Sequence, residues 1–288
     1  MRTIFHATVL IFLTCVCAWG YNPLSPEKEA ELRERADATP LENRLADIVK
    51  RQQTLLEKED ALSESEIERT IAELSGAYTQ LLRDHPDNLL LLLHYGKFLR
   101  MVGEDKGAVT VFERVRKLDD SVAVAYQQLA NIHAENGRYH EAWPLLQTCL
   151  KLAPDVALYH YQMGEFLNVF GEYLVSANLL KADELSPRLQ AEFKRALELD
   201  PTSARLAERY AQSFYQVPEP DWKEALGAWQ KALALTSDPI AAVPLRLHVA
   251  RCYLELGEFE KARALLKSPA PPALEPIRAE LSKRLPKE

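Results

Sequence analysis

The sequence predicts an all-α protein built as a solenoid, and three observations carry that prediction. Gly103, Gly137 and Gly171 fall 34 residues apart. A second register moves with them: Gly96, Ala130 and Gly164, then Leu118 and Leu152. A fixed period of this length marks a stack of helix pairs, each packing on its neighbours. The third observation is composition, since 47% apolar and 27% charged residues describe a folded chain rather than a disordered one. Formal charge is -7, and -8 once Arg2, the one charge in the first twenty residues, is set aside. So acidic a balance argues against nucleic acid as a partner, because a phosphate backbone is bound through excess positive charge.

The elements follow in chain order. Met1 and Arg2 precede a nearly all-apolar run over 4–19, and the small residues Ala18 and Gly20 stand just before Tyr21. This reads as a signal peptide, 1–20, cleaved after Gly20, and predicts export to a periplasm or to the exterior. The alternative is an uncleaved anchor, although the run is shorter than the ~20 residues a membrane span prefers. Neither Cys15 nor Cys17 lies in a good lipid-attachment sequence. Cleavage leaves Cys149 and Cys252, too far apart along a repeat array to pair, and Cys149 occupies a small apolar position suited to an inert buried thiol. The N-terminal region, 21–88, opens with a mostly charged lead over 27–37. A helix over 40–56 follows, with Thr39 as N-cap, Pro40 at the first helical position and Glu42 completing a capping box. Ser63 and Glu66 repeat that arrangement ahead of a helix over 66–83.

From residue 89 the repeat becomes specific. One unit carries Leu92, Tyr95-Gly96, Leu99, Ala108, Phe112 and Val115, with Asp120 at its end. The next carries Tyr126, Leu129-Ala130, His133, Ala142, Leu146, Cys149 and Pro154. Small residues let two helices approach closely, and large ones fill the gap to the next unit. These positions resemble two consecutive tetratricopeptide (TPR) repeats. The resemblance implies a right-handed α-solenoid of TPR helix pairs with units at 89–122, 123–156, 157–203, 204–242 and 243–270, closed by a capping helix within 271–288. In the third unit, Gly171 reads as the turn between its helices, yet Phe193, Ala196, Leu199 and Pro201 arrive thirteen residues late. The excess, 174–190, reads as an added or lengthened helix, with Ser186-Pro187 as a helix start. The fourth unit's connection is swollen by residues 217–220.

No enzyme is predicted. The seven histidines show no metal-ligand spacing, and phosphate-loop, dinucleotide-binding, nucleophile-elbow and zinc-protease motifs are all absent. The sequence therefore predicts no catalytic residue, no cofactor and no metal.

What the resemblance implies instead is a surface. First helices of TPR units line an inner face, and equivalent positions form columns. One column reads Lys97, Asn131, Glu165, Gln212 and Arg251. Four residues earlier stand Leu93, Gln127, Tyr161, Glu208 and Leu247, and three residues later Arg100, Ala134, Asn168, Tyr215 and Leu254. Residues at i, i+4 and i+7 share a helix face, so these positions predict one groove of mixed polarity with Tyr161 and Tyr215 as aromatic anchors. Some TPR proteins grip a peptide's terminal carboxylate with five conserved positions, which here hold Gln127, Asn131, Gln162, Arg205 and Arg209, a partial match. The expected function is binding of a protein or peptide segment in the groove, as an envelope adaptor or assembly factor. The competing reading is a scaffold or oligomerisation module without peptide recognition. The expected partner is a protein, with membrane contact only through an uncleaved signal.

Overall fold

The computed structural model describes residues 40–58 and 61–286, which form thirteen α-helices and no strand. The signal, the charged lead and the Thr39 cap lie outside the described residues. The chain divides into two compact units, one ending at Pro154 and the other beginning at Asp155.

The first unit holds six helices: α1 (Pro40–Lys58), α2 (Glu64–Asp84), α3 (Leu89–Met101), α4 (Asp105–Leu118), α5 (Ala123–Glu135) and α6 (Tyr139–Leu152). Leu41, Leu45, Ile48 and Leu55 are buried along one face of α1. They meet Leu74, Tyr78 and Leu81 of α2 in one core that continues through Phe98, Phe112 and Leu129. The Ser63 start of α2 is closed by Glu66, whose carboxylate accepts from the Ser63 backbone N–H at 2.9 Å and from its hydroxyl at 2.6 Å. Those two bonds hold the Glu66 carboxyl below its usual range. Asn88 caps α3 by accepting from the Leu91 N–H at 2.9 Å.

The second unit holds α7 (Ala157–Ser176), α8 (Ala182–Leu199), α9 (Ala204–Ser213) with a 3-10 turn at Phe214–Gln216, α10 (Trp222–Leu235), α11 (Ala242–Glu255), α12 (Phe259–Leu266) and α13 (Glu275–Lys283). In both units successive helices pack on one another in chain order, the pattern of a solenoid. The repeat positions that the sequence marks as small are where helices touch. A Cβ on Gly96 would stand 2.7 Å from the Phe112 ring, and one on Gly164 would stand 2.6 Å from Phe193. The late apolar positions, Phe193, Ala196, Ala225, Trp229 and Ala232, are buried as the pattern requires.

Gly103, Gly137 and Gly257 have positive φ and end first helices with one bonding scheme. In each, the residue after glycine donates five positions back: Glu104 to the Leu99 carbonyl, Arg138 to His133 and Glu258 to Tyr253, all at 2.8 Å. Gly171 corrects the sequence reading, for it is no turn. Helix α7 runs through it to Ser176, and the left-handed residue is Asn178, φ 57°, with Leu179 donating to the Leu174 carbonyl at 2.9 Å. Gly171 keeps the register for a different reason: it makes room for the Leu185 side chain of α8. The insertion is a lengthened hairpin, with 20 residues in α7 against 13 in α5, and 18 in α8 against 14 in α6. Ser186-Pro187 is therefore no helix start, since Pro187 lies inside α8, which begins at Ala182.

Candidate functional site

The predicted groove positions sort into residues buried within their unit and residues at its surface. In the first unit, Leu93 of α3 and Gln127 and Asn131 of α5 are buried, while Lys97 and Arg100 are half-buried. Arg100 is held between two carboxylates. Its Nη1 donates to Asp105 at 2.7 Å and its Nη2 to both oxygens of Glu135 at 2.6 and 2.7 Å. Burial raises the Glu135 carboxyl against the pull of Arg100. On α5, Gln128 Nε2 donates to Gln127 Oε1 at 2.7 Å. Asn131 Oδ1 is buried and accepts nothing. A buried amide oxygen left without a donor costs about 1–3 kcal/mol.

In the second unit the columns of α7 and α9 join side by side. Arg205 lies over the Tyr161 ring, 5.3 Å from its centre, and donates to the Tyr161 hydroxyl at 3.3 Å. Arg209 donates bidentately to Glu165, Nε to Oε1 at 2.6 Å and Nη2 to Oε2 at 3.0 Å. Its remaining Nη1 reaches Gln212, which in turn donates to Glu208 at 2.8 Å. Asn168, exposed, accepts from Gln216. The Arg209 fork that the clamp comparison would assign to a ligand carboxylate is thus occupied by Glu165. Tyr161, expected as an open anchor, is buried against Phe193, its ring centre 6.0 Å away.

Toward the C-terminus, Tyr215 does stand in an aromatic cluster. Trp229 and His248 stack at 4.0 Å with their planes 9° apart, and the Tyr215 hydroxyl meets His248 Nδ1 at 2.8 Å. Burial and the neighbouring Arg251 push the His248 imidazole down to about 4. The ring is therefore neutral near pH 7, one of its nitrogens carrying a proton and the other a lone pair. Arg251 lies over Tyr215 at 4.5 Å and near Trp222 at 5.8 Å. Sequence reasoning placed Trp229 among the apolar positions of the fourth repeat but not at the groove, and omitted Trp222 and His248. The signal that finds them is the seven-residue spacing of the two tryptophans, which places both on one face of α10.

Among the described residues no cluster of three or more His, Cys, Asp or Glu is arranged to hold a metal ion. Nor is any described helix long and apolar enough to cross a membrane. Cys149 and Cys252 are both buried and free. Burial pushes the Cys149 thiol well up and the Cys252 thiol up to about 11, so neither supplies a thiolate at neutral pH.

Comparison with known proteins agrees with this architecture. The tetratricopeptide repeat family model matches residues 123–156. The solved structure of YrrB, described as a TPR protein with an unusual peptide-binding site, is similar at a TM-score of 0.54 and 18% identity, covering 73% of this chain and 99% of its own. At that identity the likeness shows the fold alone. Two further likenesses carry no argument. MamA from Desulfovibrio magneticus RS-1 has a TM-score of 0.47 at 19% identity, over 67% of this chain and 94% of its own. An O-GlcNAc transferase mutant from Thermobaculum terrenum has 0.42 at 22%, over 55% of this chain and 28% of its own. No curated protein sequence matches the chain.

Proposed function

We propose that this chain, a tetratricopeptide-repeat protein, is a non-enzymatic interaction protein that receives an extended segment of a partner protein on its first-helix faces. The observation that carries the reading is Asn131. Its buried, unpartnered Oδ1 sits on the first helix of the matched repeat, where an incoming backbone N–H would relieve the cost of leaving it unbonded. On the preceding first helix, α3, the half-buried Lys97 and Arg100 supply the polar rim that peptide recognition uses beside its apolar pockets. An acidic chain, of formal charge -7, fits a protein segment better than a polyanion.

The N-terminal apolar run adds the proposal that the protein works after export, as an envelope adaptor or assembly factor. One preparation tests both parts. Protein isolated from its native host should begin at Tyr21, and cross-linking followed by mass spectrometry should return one reproducible partner. Asn131→Ala should lower its recovery several-fold while helicity and melting temperature stay within error. Recovery of the same partner at wild-type yield by the variant would favour a scaffold that does not read peptides. An intact Met1 terminus would overturn cleavage and favour the uncleaved anchor.

A further inference from the structure

Helix α13 does not close the second unit tightly. Between it and α11 lies an open cleft of about 190 Å³. Its walls are Leu247 of α11, Leu274, and Ile277 and Leu281 of α13, and Ile277 is still 51% exposed. An apolar cavity of about 150 Å³ takes up benzene, so this space accommodates one large apolar side chain. Two cations, Arg251 and Arg284, also line the cleft. They share a single carboxylate, Glu255, with Arg284 at 3.0 Å and the Arg251 Nε at 4.0 Å, beyond hydrogen-bond length. Arg251 is nevertheless fixed in place, because Tyr215 and Trp222 hold its guanidinium plane. Among the described residues nothing accepts a hydrogen bond from that guanidinium, and 42% of the side chain is exposed. The remaining acid in the cleft wall, Glu280, is paired outward with Lys283 at 3.1 Å.

An oriented but unbonded guanidinium beside an apolar slot selects its ligand in two ways. The slot takes a bulky aliphatic or aromatic group, and the fork takes a carboxylate, which it can bond bidentately. We propose that the α11–α13 cleft is a docking site for an acidic peptide segment, in which a large apolar side chain enters between Leu247 and Ile277 while an adjacent Asp or Glu side chain pairs with Arg251. The inference rests on the reading that this chain recognises peptide segments, but it involves helices of the second unit, whereas Asn131 belongs to the first.

The test is a fluorescence-anisotropy titration of the full-length protein with a labelled, C-terminally amidated peptide, Gly-Ser-Leu-Phe-Asp-Glu-Gly-Ser. A second peptide carries Asn-Gln in place of Asp-Glu, and a third carries Ser-Ser in place of Leu-Phe. The charged peptide should bind about tenfold more tightly than either control, the scale of one charge-assisted contact. Arg251→Gln should lower its affinity about tenfold and leave the Asn-Gln peptide unaffected, whereas Arg251→Lys should restore part of the loss. Ile277→Ser, at an exposed position, should weaken both the charged and the Asn-Gln peptide. Asn131→Ala should change none of these affinities, so failure at the cleft and failure of the wider reading are separate results. Equal binding of charged and Asn-Gln peptides, or no effect of Arg251→Gln, would overturn the proposal. So would a concentration-dependent dimer abolished by Ile277→Ser, which would show a second copy filling the cleft. Tighter binding of an Asn-Gln peptide with a free C-terminus would overturn it as well, by making the terminal carboxylate the true ligand.

Discussion

His248 shows how one side chain links the fold of the second unit to pH. Its ring is stacked on Trp229, bonded to Tyr215 and faced by the Arg251 guanidinium, and burial first, then the Arg251 charge, favours the neutral form. An ordinary histidine titrates near 6.5, and here the folded value is about 4. The unfolded chain therefore binds more protons across that window, and the stability tied to neutrality, present above pH 6.5, is lost as pH falls toward 4. The loss amounts to about 3 kcal/mol at the acid end. Urea unfolding of wild type and His248→Phe at pH 7, 5.5 and 4 should show the difference between them shifting in the variant's favour by that amount. Parallel slopes for the two proteins would contradict it. Glu165 and Arg209 illustrate a different point at this scale. Read as columns, both look available to a partner, yet they satisfy each other at 2.6 Å. A sequence shows which side chains share a face, but whether a donor is already occupied depends on offsets between helices. In this pair the offset is 44 residues, because the lengthened hairpin intervenes between α7 and α9.

At the scale of helices, the contact between partners in a repeat was legible because it is written twice. Gly96 faces Phe112 and Gly164 faces Phe193, and in the intervening repeat the same two positions hold Ala130 and Leu146. A small residue gains a methyl where its partner loses ring volume, as close packing demands. Gly164→Ala should therefore cost about 2 kcal/mol by overpacking against Phe193. Adding Phe193→Leu to that variant should recover part of the loss, although alone it should destabilise. If the double variant is less stable than the sum of the singles, the two sites are not a matched pair. The third turn was not legible for an equally local reason. Gly171 sits in the turn register but serves the approach of Leu185, while the left-handed conformation falls to Asn178, which tolerates it because its short amide side chain relieves the backbone crowding. Pro187 misled in the same way, since a proline five positions into a helix removes one backbone bond without marking a start.

Over the whole molecule, periodicity carried the fold, since helix pairs that repeat must stack, whereas the cleft at the end of the second unit follows from no period. It arises where the helix-pair period is broken. Residues 268–272 carry three prolines, and the nine-residue helix α13 packs on α11 only in part. That arrangement leaves Arg251 and Ile277 accessible, so the most sequence-specific surface of the second unit lies at its least repetitive place. The opposite property belongs to the α7–α8 hairpin. Its two helices are joined by five residues and, among the described helix pairs, share the most extensive contact. Closing so short a loop sacrifices little chain entropy for a large gain in contact, which predicts that folding of the second unit begins at this hairpin. Destabilising substitutions in the α7–α8 contact should slow refolding in stopped-flow mixing, while those at α11–α13 should chiefly hasten unfolding. The thirteen residues that interrupt the repeat would then set the order in which the second unit assembles, a role in time rather than in recognition.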